Sequence, residues 1–424
     1  MRKLFTPATL VGALVSGPAL AGGLTLYEVG TADVGLASAG YNARAQDAST
    51  VLTNPAGMTR LNGNQLLLGA QVLYGDVKFS PGPGTSELLG NGDGGFPIGW
   101  FPGGGMYVSY SASPDLKLGL AMTGNFGLAM KYDDSWVGRY YVQDATLLGL
   151  SFLPSVAYRV NDKLSVGASL NAMYGILNNK VAINNIIGPD GQLKADDRVW
   201  GFGANVGLLY EVDPRTRLGL TYNSQVNLDF TANPEFSGLS PGIEALLRSR
   251  GLLDANIDLG IKVPQGLMGS VFTQVDDRWA LLGSVGWQQW SRFGRVNVSI
   301  DSSNPTSLTT NLNYKDTWHV AGGAQYRMDN DWLLNFGVAY DSEFQGDTVP
   351  VTLPANSQWR FGVGAQQQTT KSFNWGVAAE YAYGGNLDVN QQGNPVVIGG
   401  RGNVVGQYSN TGIIFLSANF GWKF

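Results

Sequence analysis

The sequence has no cysteine and only one histidine, His319. The first absence excludes disulfides and thiol-ligated metals. Together the two argue against a His/Cys metal site, and no metal or cofactor is expected. Triad-type hydrolysis would need His319 itself as the base. Charge is also scarce: Asp, Glu, Lys and Arg make up 14 % of the chain, where a soluble domain carries about 25 %. The formal net charge is −5 and no basic block occurs, so nucleic acid is not an expected partner. Beyond the N-terminal leader there is no run of about 18 apolar residues, which excludes membrane-crossing helices. The stretch "GFGANVG" at 201–207 is only weakly like a dinucleotide loop. It lies inside an alternating segment, where its glycines read as inward-facing spacers.

What is present begins with a leader. Arg2 and Lys3 precede an apolar stretch, Leu4 to Val15, and an Ala-x-Ala site ends at Ala21. Residues 1–21 read as a secretory signal peptide cleaved after Ala21. A membrane anchor is the weaker alternative, because the apolar stretch is too short to span. Loss of these two cations takes the formal charge from −5 to −7.

The dominant signal after residue 62 is period 2. In "WLLNFGVAYD", Trp332, Leu334, Phe336, Val338 and Tyr340 fall on one side, with Asn335, Gly337, Ala339 and Asp341 on the other. Such strands have one apolar face and one small or polar face. Many reach 12 residues or more, above the usual 5 or 6. Aromatics mark their ends, as in Trp279/Trp287 and Trp375/Tyr383. Two aromatic girdles fit a bilayer-spanning barrel better than a soluble sandwich. Short polar turns recur at 113–116, 160–163, 212–216, 275–278, 328–331 and 368–372. Longer segments lie between them at 80–102, 128–146, 185–195, 231–254, 301–307, 346–355 and 392–402. Six turns and seven loops predict an all-β chain with an antiparallel transmembrane barrel of about 14 strands over 63–424. A barrel of that size has room in its lumen. Residues 22–62, rich in small residues yet moderately apolar, are expected to fill it as a plug, or hatch. A disordered tail is the alternative.

The segment "ASTVLTNPAGM" contains Asn54-Pro55-Ala56-Gly57-Met58. With "NFGL" at 125–128, "WVGRYY" at 136–141, "VPQ" at 263–265, "YKDTW" at 314–318 and the terminal "FGWKF", it resembles the FadL/TodX family of outer-membrane transporters for long-chain fatty acids and hydrocarbons. The matches run in order along the whole mature chain. The resemblance implies a monomeric 14-stranded barrel with an N-terminal hatch and a kinked third strand that opens the wall sideways. It implies capture of a hydrophobic ligand at the outer loops, an interior site and lateral exit into the membrane lipid, by diffusion. It also places the hatch element Asn54, Pro55 and Ala56 near the side opening. There is one departure. Fatty-acid carriers often have an Asp-Arg pair entering strand twelve, and here Ser357-Gln358 stand there, with Arg360 the nearest arginine. The aromatic terminus, Phe424, is the expected handle for the barrel-assembly machinery.

Strand parity selects the inward residues. If Trp318, Val320 and Tyr326 face lipid, then Lys315, His319 and Gln325 point inward, and so do Arg292, Asp341, Glu343, Arg360 and Glu380. A Lys or Arg on the lipid face would cost roughly 2–4 kcal/mol near the bilayer centre. Lys315, His319 and Arg360 are therefore candidates for an anionic headgroup. Alternatively, these charges pair with one another or with the hatch. In the loop 231–254, Ile243, Leu246, Leu247 and Arg250 share one helical face between Pro241 and Gly251, offering an apolar capture surface or packing over the mouth. Gly124 and Gly127 bracket Asn125 and Phe126 in the third strand, and glycine within a strand marks a bend or bulge. The expected function is passive transport of hydrophobic compounds. The alternatives are a porin for small polar solutes, which a plug opposes, and a lipid-modifying enzyme, which would need a nucleophile paired with a base.

Overall fold

A computed structural model describes residues 26–249, 251–253, 255–293, 295–301, 306–393 and 400–424. The expected leader, 1–21, lies outside them, as does Arg250. The barrel strands are β1 Gln65–Asp76, β2 Gly99–Ser111, β3 Leu116–Lys131, β4 Asp144–Arg159 and β5 Leu164–Ile183. They continue as β6 Gly191–Glu211, β7 Thr216–Asn223, β8 Gly266–Gln274, β9 Trp279–Gln288 and β10 Thr317–Arg327. The last four are β11 Trp332–Asp341, β12 Gln358–Gln368, β13 Phe373–Gln391 and β14 Val404–Lys423. Each pairs antiparallel with the next. Gln65 lies opposite Lys423 and Asp76 opposite Gly412, which closes β1 on β14 and makes a barrel of 14 strands.

The side-chain alternation is the predicted one. Along β10, Trp318 and Val320 are exposed while His319 and Ala321 are buried. The aromatic girdles follow from register: Tyr340 pairs with Trp359 and Trp359 with Tyr383 at one end, and the Trp332 and Trp375 rings lie 5.5 Å apart at the other. All six short turns fall where expected. The long-loop end departs from expectation. Val226–Ala232, Asn256–Val263, Arg295–Asp301 and Thr306–Asn311 form a four-stranded sheet separate from that of the barrel, and its first strand packs on the inward glycines Gly175 and Gly201 of β5 and β6. Its strands come from two different loops, so no local pattern announces their pairing.

Residues 26–64 run inside the barrel in short helical turns, Thr31–Gly35, Thr50–Thr53 and Pro55–Arg60. Almost every side chain in this segment is buried, among them Val34, Leu36, Val51 and Met58. The Asn54-Pro55-Ala56 element has a physical reason. The Asn54 carboxamide oxygen accepts the Ala56 N–H at 3.1 Å and so caps the following turn, with Pro55 at its first position. The Asn54 Nδ2 donates to the Asn42 and Leu208 carbonyls at 2.7 and 2.9 Å. Glycines on the wall admit this close approach: a Cβ on Gly207 would lie 2.0 Å from Asn54 Oδ1, and one on Gly167 2.4 Å from the Ala56 nitrogen.

Candidate functional site

The wall is incomplete between β2 and β3. Their pairing runs from Ser111–Lys117 to Gly105–Thr123 and stops there. Beyond that point β2 stays paired with β1 through Gly99, and β3 with β4 through Lys131. The β3–β4 register shifts between Gly124 and Phe126, which leaves Asn125 as an extra, bulged residue. One extra residue reverses side-chain parity. Below it Lys117 and Ala121 are buried; above it Phe126, Leu128 and Met130 are. Gly127 has φ +126°, and a Cβ there would meet the Leu147 carbonyl at 2.1 Å, so the bent path needs glycine. Gly124, Asn125, Phe126 and Gly127 thus stand where the kinked third strand was expected. Pro102-Gly103-Gly104 borders the same gap from β2, where the sequence pattern places the end of a loop at Pro102.

An apolar cavity occupies the gap. Leu73, Ile98, Phe101, Leu128, Leu148 and Leu150 line it, and among the described residues no charged or polar side chain does. A second cavity lies in the lumen, over Tyr27, Tyr41 and Leu52 and against β5 to β9. The two share Leu26 and Phe126. Leu26 N–H donates to the Asn125 carbonyl at 3.0 Å, so the described chain begins by bonding to the bulge itself. Asn54, Pro55 and Ala56 do not sit at this gap. They pack on β5 and β6, where Gly167 and Gly207 make room, and Leu26 takes the place expected of them.

The inward charges form one buried cluster. Arg360 Nε donates to Asp341 at 2.6 Å, and its Nη1 donates to Glu380 at 2.9 Å and to Glu28 of the lumenal segment. His319 Nδ1 lies 2.6 Å from Asp341, and Gln358 Nε2 donates to the same carboxylate at 3.1 Å. Tyr27 packs its ring on His319, with centroids 4.5 Å apart. His319 and Arg360 are therefore lumenal as expected, and they are committed to partners. Glu28 could not be found from sequence, since 332 positions separate it from Arg360.

Three inward assignments are overturned. Lys315 lies in the coil before β10, its side chain is 58 % exposed, and it pairs with Glu343, which is 48 % exposed. Arg292 is exposed on the short helix Trp290–Phe293. Alternation holds only within a strand, and none of the three residues lies in one. The expected loop helix is present as Pro241–Ser249. Ile243 and Leu247 are buried in a hydrophobic core shared with Trp136, Trp290 and Phe344, and Leu246 is half-buried. In "WVGRYY", Arg139 and Tyr140 bond Asp190 at 2.8 and 2.6 Å, tying two outer loops together. Burial, with the Asp190 bond, pushes the Tyr140 phenol up to about 12.

A G-x-S-x-G run occurs at Gly238 to Gly242. Ser240 sits at the start of the loop helix, whereas His319 is inside the barrel on Asp341 and its Nε2 has no partner, so no Ser–His pair forms. Among the described residues no cluster of His, Asp and Glu could hold a metal ion.

Residues 12–424 match the family of outer membrane protein transport proteins (OMPP1/FadL/TodX). The chain is 27 % identical over 427 residues to the long-chain fatty acid transport protein of Escherichia coli (strain K12), covering 92 % of this chain and 94 % of that one. It is 29 % identical over 426 residues to outer membrane protein P1 of Haemophilus influenzae, covering 90 % of each. The crystal structure of a Pseudomonas aeruginosa FadL homologue superposes with a TM-score of 0.82 at 21 % identity, over 93 % of this chain and 98 % of that one. The Pseudomonas putida toluene transporter TodX gives 0.68 at 17 % identity, over 95 % and 99 %. The chain belongs to the OMPP1/FadL/TodX family and is a β-barrel transport protein of a Gram-negative outer membrane.

Proposed function

We propose that the chain is a passive, monomeric transporter of hydrophobic compounds and not an enzyme. The ligand enters from the outer loops, rests in the lumenal cavity and leaves sideways between β2 and β3 into membrane lipid. Residues 22–62 act as the hatch, and Phe424 serves the barrel-assembly machinery. The relatives named for long-chain fatty acid and for toluene bracket the ligand class. One observation carries the reading: among the described residues the gap beside Asn125 is lined only by apolar side chains, and it adjoins the lumenal cavity, from which Leu26 and Phe126 divide it. An apolar molecule leaving there avoids water, which its transfer free energy disfavours. A polar-solute porin would need an open aqueous channel, and residues 26–64 fill the lumen. The test compares a deletion strain with and without the gene for growth on alkanes, monoaromatics and fatty acids. It also measures swelling of liposomes containing the protein in sugar solutions. The reading predicts restored growth on at least one hydrophobic source and no swelling. Sugar-driven swelling without hydrophobic uptake overturns it.

A further inference from the structure

We infer that the lumenal cavity selects a neutral hydroxylated hydrophobe, such as a long-chain alcohol, over the carboxylate of the same chain length. The inference rests on the transport reading and names its ligand. The polar side chains lining the cavity are amides and hydroxyls, and no Asp, Glu, Lys or Arg is among them. Several are already used. Thr221 accepts from Asn42 at 2.7 Å, Ser224 Oγ accepts the Ala204 N–H at 2.9 Å, and Asn125 Oδ1 accepts the Ser151 hydroxyl at 3.0 Å.

Asn171 is different. It is 8 % exposed, it faces the cavity from β5, and its Oδ1 is buried with no hydrogen-bond partner. Leaving such an atom unmet is costly, and the same cavity is lined by Phe126, Met173 and Met268. A carboxamide presents one acceptor and two donors, while a hydroxyl donates one hydrogen bond and accepts others. The two groups can therefore satisfy each other. A carboxylate accepts only, so it cannot satisfy the unmet oxygen.

A buried carboxylate also needs a cation. The buried cations of the wall are already engaged, Lys117 donating to the Ser111 hydroxyl at 2.7 Å. Arg360 is held by Asp341, Glu380 and Glu28, and Arg217 donates to the Ala43 and Arg44 carbonyls of the lumenal segment. Lys315 is outside and paired. Among the described residues the exit gap offers no polar side chain at all. A hydroxyl crosses such a passage with a far smaller desolvation cost than a carboxylate.

The test uses the full mature chain in detergent at pH 8 and measures binding of dodecanol, dodecanoate and dodecane by equilibrium dialysis. The expected order is dodecanol tightest, at least about tenfold ahead of dodecanoate, a step of about 1.4 kcal/mol. Asn171→Leu should bring the dodecanol affinity down to that of dodecane. Dodecanoate binding as tightly as dodecanol overturns the inference, as does an alcohol preference that survives in Asn171→Leu. Binding of dodecane with no alcohol preference overturns the inference and leaves the transport reading standing. Binding of none of the three overturns both. The wild-type comparison decides the matter even if the variant fails to fold.

Discussion

Two polar regions share one lumen and follow opposite rules. Around Arg360, one guanidinium is surrounded by Asp341, Glu380 and Glu28, with His319 on Asp341. Around Asn171, no charged group lines the cavity and one amide oxygen is unmet. The first region reaches from the wall to the lumenal segment through Glu28 and Tyr27. The second meets that segment mainly through Leu26, Tyr41 and Leu52. Charge here ties the segment to the wall, while the route proposed for the ligand is lined by uncharged side chains. A fixed guanidinium with fixed carboxylates suits an anchor, because breaking it strands the remaining charges. A neutral path suits passage, because nothing along it binds too strongly to release.

Several changes would break or sharpen that contrast. Arg360→Met removes the anchor's cation and leaves three carboxylates without it. We expect a loss of about 3–5 kcal/mol, seen as a lower temperature for conversion of the folded to the heat-modified gel band. Early protease cleavage within residues 26–64 should accompany it. Gly207→Val drives a side chain into Asn54 without touching a charge. The expected cost is about 1–3 kcal/mol, by the same assay, with the barrel itself still folded. Gly124→Trp acts on the other region. A Cβ there meets only Leu150, at 3.3 Å, so the ring has the gap to fill. Hydrophobic uptake should fall about tenfold, a step of about 1.4 kcal/mol in the barrier, while the heat-modification temperature stays near wild type. Lys315→Ala is expected to change neither fatty-acid affinity nor folding, since its ammonium is exposed and already paired with Glu343. A clear loss of dodecanoate binding in that variant would place a charge on the ligand's path after all.

Much of this was legible in the chain. Within a strand, period 2 and the cost of charge in lipid select the inward face, and His319, Arg360, Asp341 and Glu380 followed. The same reasoning failed one step outside the strand, at Lys315, because coil carries no parity. Glycines around Asn125 marked the bulge from β3. The loop expected over 80–102 puts the start of β2 too late, since the strand begins at Gly99; strand and loop both tolerate Gly-rich stretches. Pairings between segments distant in sequence left no local trace. Glu28 with Arg360 is one such pairing, and the separate sheet joining Val226–Ala232 to Asn256–Val263 and Arg295–Asp301 is another. Which end of the lumenal segment meets the gap was equally hidden, and the structure gives that place to Leu26.

The central claim is that the ligand's route runs past the Leu26–Asn125 contact and out through the wall. The chain has no cysteine, so Leu26→Cys with Asn125→Cys can be linked without interference, the residues being joined by a 3.0 Å backbone bond. Uptake of dodecane by cells carrying this variant, measured before linking, after linking with a short thiol-reactive or oxidative bridge, and after reduction, tests the route directly. Loss of uptake on linking and recovery on reduction is the predicted result. Uptake at the unlinked rate in fully linked protein would contradict the route.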